Sequence, residues 1–157
     1  MSTEPIQDLY PDSFSYCYGC GRLNEHGLKI KSIHEGGEVV CTLTPQPYHL
    51  AVPGFVYGGL IASIIDCHSI GTASAVEYYG EGRAGGSEPP IRFVTKSLHV
   101  DYYRATPIEE DIVVRARLIE MRGKERVIES ELYSGGVLRA QGEVIAVPIP
   151  DHMLKGN

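Results

Sequence analysis

The stretch that decides the fold is Tyr57-Gly58-Gly59-Leu60-Ile61-Ala62-Ser63-Ile64-Ile65-Asp66-Cys67-His68-Ser69-Ile70-Gly71-Thr72-Ala73-Ser74-Ala75-Val76. Leu60, Ile61, Ile64, Ile65 and Val76 recur at helical spacing, which predicts a helix over residues 57–78. At about 1.5 Å per residue it would be roughly 30 Å long. Its apolar residues cover much of the circumference, as in a helix surrounded by other elements. The stretch approaches the length of a membrane span, but Asp66, His68 and several Ser and Gly residues interrupt it. No basic or Trp-rich belt flanks it, so it reads as a buried core helix and implies no membrane.

Upstream, residues 1–27 are irregular, with Pro5, Pro11, Gly19, Gly21 and Gly27. Residues 28–33 alternate in the period of a half-buried strand, residues 35–38 form a turn, and residues 39–43 return as a second strand. Downstream, residues 80–90 are rich in Gly, Glu and Pro and predict an exposed loop. Residues 91–103, 111–121, 126–133 and 137–147 are then rich in Val, Ile, Leu, Thr and Tyr, separated by Pro107, Gly123 and Gly135-Gly136. They predict a four-strand antiparallel meander over residues 91–147. A meander needs its apolar face covered, and one long helix can do that. The expectation is α+β, a single domain over residues 1–157 with a curved antiparallel sheet wrapped around one long central helix. The chain's 157 residues and 43% hydrophobic content suit one core.

The net charge of −6, with no basic run, gives no electrostatic footprint for nucleic acid. The acidic N-terminus lacks a basic region followed by an apolar one, so no signal peptide is read and a cytoplasmic location is expected. Four cysteines, Cys17, Cys20, Cys41 and Cys67, would then be thiols. Cys17-x-x-Cys20 is the spacing of half a zinc site. No second pair stands at suitable spacing, and His26 and His34 are the possible partners, so a tight turn is preferred and no metal is expected.

Two features of the helix point to chemistry. Its first amides lack intrahelical acceptors, and no Ser, Thr, Asp or Asn at residues 55–58 caps them. Gly58 and Gly59 let a ligand approach these donors closely, although Gly-Gly serves equally to let a helix pass tightly against a strand. Asp66 is the only acidic residue between Tyr57 and Val76 and shares a helical face with Ala62, Ser69 and Ala73. A carboxylate in apolar surroundings costs desolvation and has its pKa raised, which suits a general base but also fits a structural Asp. Asp66 stands about 12 Å along the helix from Gly58 at roughly 1.5 Å per residue. One carbonyl cannot touch both, so a site using both would draw them from two subunits. His68 lies about 200° around the helix from Asp66 and reads as a core or interface histidine. Arg92, Lys96 and Arg104 are candidate phosphate contacts that strand-face solvation explains equally.

These residues resemble the hot-dog-fold acyl-CoA thioesterases of the phenylacetate-degradation (PaaI) branch. That family's pattern is a His-Gly-Gly helix start followed by an Asp nine residues after the His. Here Tyr57-Gly58-Gly59 holds the start and Asp66 the acid. The likeness continues in Cys17-Tyr18-Gly19-Cys20-Gly21 with Asn24, Gly27 and Leu28, in residues 95–104, and near Ala140 and Gly142. The resemblance implies hydrolysis of an acyl-CoA without a cofactor. Asp66 would be base or nucleophile, the Gly58 amide the oxyanion donor and Thr95 a holder of the attacking water, with Tyr57 and Gly59 beside the substrate. Tyr57 replaces the usual His. Ala51 stands where some members place an Asn that orients water, and His49 is the nearby substitute. The resemblance also implies a homodimer, with a homotetramer common in the family, and the long strand over residues 91–103 would be an exposed edge in a monomer. A non-catalytic acyl-CoA-binding protein and a hot-dog hydratase or dehydratase are the alternatives.

Overall fold

The computed structural model describes residues 3–154; positions 1, 2 and 155–157 lie outside it. The chain opens with two single-turn 3-10 helices, Ile6–Asp8 and Asp12–Phe14. Strands β1 (Ile33–Glu35) and β2 (Glu38–Leu43) follow as a hairpin. Helix α1 (Gly58–Gly80) comes next, and then β3 (Phe93–Tyr102), β4 (Ile112–Arg122), β5 (Glu125–Ser134) and β6 (Val137–Pro148). A short helix α2 (Asp151–Leu154) ends the described chain. The strands form one antiparallel sheet in the order β1-β2-β4-β5-β6-β3, wrapped around α1. This is the hot-dog arrangement, and the helix and meander fall within two residues of their expected bounds.

The first expected strand is a correction. Residues 28–32 are not paired to another strand, and β1 begins only at Ile33. Leu28 N–H donates to Tyr18 O and Ile30 N–H to Gly19 O, so the segment lies along the N-terminal loop instead. Lys29 has a φ of 57°, outside the β region. Its Nζ donates to the carbonyls of Gly21 and Arg22 at 3.2 and 3.0 Å. The alternation of this segment records inward packing of Ile30 on the core, not a ladder.

The sheet faces the helix through alternate residues. Ile112, Val114 and Ala116 of β4, Ile128 and Leu132 of β5, and Ala140, Val144 and Ala146 of β6 pack with Leu60, Ile61, Ile64, Ile65 and Ile70 of α1. Among the described residues α1 is the only helix long and apolar enough to cross a membrane, and these contacts give it a buried place inside the sheet. Small residues make the fit close. Ser69 Oγ meets Ser130 Oγ at 2.7 Å, Ala73 is buried, and a Cβ on Gly142 would collide with Ile65. The stripe of small residues beside Asp66 therefore serves helix–sheet approach at Ser69 and Ala73 rather than leaving open space there. Glu77 fixes the C-terminal half of α1 to β5, since Arg126 donates Nε and Nη2 to its two carboxylate oxygens at 2.8 and 2.9 Å.

His68 is a core histidine with both nitrogens bonded. Its Nε2–H donates to Val39 O at 3.0 Å, because a carbonyl only accepts, and Nδ1 therefore accepts from Ser32 Oγ at 2.8 Å. Gln7 Nε2 donates to Ser32 Oγ, and Ser32 N–H donates back to Gln7 Oε1, each at 2.8 Å. Burial pushes the His68 pKa down to about 4, so the imidazole is neutral and closes the network.

Gly71 makes room for that network. A Cβ at Gly71 would lie 2.5 Å from Gln7 Nε2 and 3.0 Å from Ser32 Oγ. Alanine would gain about 1 kcal/mol in helix propensity. Displacing doubly bonded, buried Gln7 would cost about 1–3 kcal/mol for each polar group left unsatisfied. Gly71→Ala is therefore expected to lower unfolding free energy by up to about 2 kcal/mol, the cost of one unsatisfied group less the propensity gain, as read by urea denaturation. A gain in stability would contradict this account of the network.

Candidate active site

Helix α1 begins at Gly58, with Tyr57 as an extended N-cap residue (φ −61°, ψ 129°) that makes no side-chain cap bond. Leu60 and Ile61 N–H groups reach back to Tyr57 O at 3.1 and 3.3 Å. The N–H groups of Gly58 and Gly59 have no acceptor among the described residues. They stand as free donors at the positive end of a long helix.

Of the two glycines, Gly59 is the crowded one, whereas a Cβ on Gly58 would make ordinary contact with Tyr102. The ring of Tyr57 folds back over Gly59, where a Cβ would be 2.5 Å from ring carbons. Gly58 lies under the ring of Tyr102 on β3, whose hydroxyl donates to Gly58 O at 2.7 Å. Tyr102 was not singled out by sequence reasoning. Its only signal was its place in the run of residues 95–104, and nothing local ties it to a helix start 44 positions away. His49 is beside the same end of the helix, its carbonyl accepting from Tyr57 N–H at 2.9 Å. His49 Nδ1 accepts from Gln46 N–H at 2.9 Å, which leaves the ring proton on Nε2, and burial lowers its pKa.

Asp66 is eight positions further along α1 and half-buried. Thr95 Oγ1 of β3 donates to Asp66 Oδ1 at 2.6 Å. A β-bulge between Thr95 and Ser97 interrupts the β3–β6 register beside this contact, as bulges that re-aim a side chain do. Burial raises the Asp66 pKa and outweighs the lowering by the Thr95 hydrogen bond. The carboxylate is thus destabilised as an anion and suited to take up a proton.

Asp66 and Thr95 line a cavity of about 230 Å³ with Cys17, Cys20, Cys67, Ile70, Arg92, Phe93 and Val94. Cys67 follows Asp66 in sequence and meets the Cys17-x-x-Cys20 turn, a juxtaposition that sequence spacing did not disclose. The other thiols and the Cys20 and Gly19 amides hold the Cys17 thiol well below its ordinary range, whereas Cys20 is pushed up to about 11. A larger cavity of about 560 Å³ lies at the other end of α1, between its last turns, the N-terminal segment and Gly82–Gly85. It shares no lining residue with the Asp66 cavity and contains neither Asp66 nor Thr95.

One chain therefore brings Asp66 to Thr95, and Gly58 to Gly59, Tyr57, Tyr102 and His49, but holds these two groups at separate places on α1. Of the candidate cations, Arg92 is partly buried over the Tyr10 ring at 4.8 Å, Lys96 pairs with Glu125, and Arg104 is exposed.

The family model of the thioesterase superfamily matches residues 53–140, which span α1 and most of the meander. A solved thioesterase superfamily protein from Shewanella loihica PV-4 is 36% identical, with 81% of this chain and 96% of that one covered at a TM-score of 0.65. A second thioesterase superfamily structure, protein RHA08564, is 21% identical over 94% of this chain and 70% of that one, with a TM-score of 0.67. The Escherichia coli PaaI protein of the phenylacetic acid degradation operon shares the fold at 16% identity, with 78% of this chain and 81% of that one covered at a TM-score of 0.62. No curated protein matches the chain. The chain belongs to the thioesterase superfamily, with PaaI among its structural relatives.

Removing the Thr95 hydroxyl takes away the hydrogen bond that is the larger of the two effects lowering the Asp66 pKa, the other being the Arg92 charge. Thr95→Val is expected to raise the Asp66 pKa further, read from the pH dependence of its side-chain carboxyl carbon resonance. An unchanged or lowered value would show that Thr95 does not stabilise the anion.

Proposed function

We propose that the protein is an acyl-CoA thioesterase whose reactive centre is shared between two subunits. The pairing of half-buried Asp66 with Thr95 on one hand, and the free Gly58 amide on the other, carries this reading. Asp66 deprotonates a water molecule held with Thr95, or attacks the thioester carbonyl itself. The carbonyl oxygen gathers negative charge in the transition state, and the Gly58 N–H and helix dipole stabilise it. The thiolate of coenzyme A then leaves, a good leaving group that needs no metal or cofactor.

The sheet topology supports the division between subunits. Strand β3 is an edge, and the same strand holds Thr95 against Asp66 and, seven residues on, Tyr102 against Gly58. If two copies of β3 pair antiparallel about a two-fold axis near Leu98 and His99, the Thr95 end of each strand lies beside the Tyr102 end of the other. The Gly58 amide of one chain then approaches Asp66 of its partner. Such pairing also covers the unpaired edge and exposed Leu98. The hydratase reading loses its base, because His68 is buried with both ring nitrogens engaged.

Thiol release from short, long and aromatic acyl-CoAs, comparing wild type with Asp66→Asn, tests the activity. The variant is expected to lose at least about a hundredfold in kcat, the scale of a positioned acid–base group. It should keep or raise its thermal midpoint, since it relieves a carboxylate of the desolvation that raises its pKa. Wild type that binds these esters but releases no thiol from any of them would replace the enzyme by a binding protein.

A further inference from the structure

We propose that Cys17, Cys20 and Cys67 form a three-thiolate site for a zinc-class divalent cation. The proposal is independent of the thioesterase reading, and the hydrolysis assigned to Asp66 does not require the ion. The ligand atoms of the three cysteines all lie within 4.8 Å of one another. Cys17 Sγ and Cys67 Sγ are 3.8 Å apart. That separation is far beyond a disulfide bond of about 2.05 Å. It matches the edge of a regular tetrahedron with Zn–S bonds of about 2.3 Å, which is about 3.8 Å.

The backbone around the cluster is shaped for the sulfurs. The Gly21 N–H closes the turn onto Cys17 O at 2.7 Å. A Cβ on Gly19 would collide with Cys67 Sγ, so only glycine there lets the helix sulfur join the pair. Three thiolates and a divalent cation carry one net negative charge. Arg92 lines the same cavity, and its Nη1 is buried without a hydrogen-bond partner. Its guanidinium supplies the compensating charge. Asp66 lines the cavity but stands outside the group of mutually close ligands, so the fourth vertex falls to a water molecule in the cavity.

The test uses reduced, metal-free full-length protein, with all four thiols titratable after denaturation. Equimolar Co2+ is expected to give thiolate-to-cobalt charge-transfer bands and the visible bands of tetrahedral cobalt, both lost when Zn2+ displaces it. Zn2+ should also raise the thermal midpoint, because it binds the folded chain. Cys67→Ser should weaken the bands, and Cys41→Ser, on β2 outside the cluster, should leave them unchanged. Zinc-edge X-ray absorption of the wild type, which depends on no variant, should show three sulfurs at about 2.3 Å. No thiolate-to-cobalt band in the folded, reduced protein would overturn the proposal, as would fewer than three sulfurs around zinc. The three thiols would then be apolar packing groups of the core.

Discussion

The close seating of α1 inside the concave sheet is the constraint from which the rest follows. An apolar helix of 23 residues must be enclosed, and the sheet encloses it only where small groups meet. Ser69 against Ser130 and Gly142 under Ile65 set that distance, and Gly71 under Gln7 seats the N-terminal segment on the helix. Once the helix is fixed, its start and Asp66 both lie against edge strand β3. There the helix carries its free amides at one point and the Asp66 carboxylate at another. Edge strand β3 supplies a positioning side chain to each, Tyr102 and Thr95.

The electrostatics of the site follow from the same enclosure. Desolvation by the surrounding core raises the Asp66 pKa, against the Thr95 hydrogen bond and, more weakly, the Arg92 charge. His68, two residues on, faces the other way into the sheet, and burial makes it a neutral link between Ser32 and Val39. Two titratable groups within one turn are thus driven to opposite uses by the face of the helix that each occupies.

Much of this was legible from residue types. The apolar periodicity of residues 57–78 gave the helix to within two residues, and period-2 patterns gave the four strands of the meander. Asp66 and Gly58 stood out because a lone acid in an apolar helix and an uncapped Gly-Gly start are local signals. Residues 28–32 misled, because an extended segment that packs one face on the core alternates like a strand even when its hydrogen bonds go to a loop. The long-range pairings were not legible. Tyr102 over Gly58, Thr95 at Asp66 and Cys67 beside Cys17 and Cys20 each depend on how the sheet curves, which no local pattern encodes. The Thr95–Asp66 pairing was approached only through family resemblance, as a role near the attacking water.

The central claim is that Gly58 and Asp66 act together across a subunit interface, and complementation tests it most directly. Gly58→Pro removes the amide donor at a helix position where proline is tolerated, after an extended residue. Asp66→Asn removes the carboxylate. The measurement is acyl-CoA hydrolysis by a mixture of the two inactive variants, unfolded and refolded together so that subunits exchange. If the site is shared, each mixed dimer regains one intact centre, and random pairing restores about a quarter of wild-type activity. If Gly58 and Asp66 serve the same substrate within one chain, no mixed dimer has an intact centre. The mixture then stays as inactive as its parents, which would contradict the account.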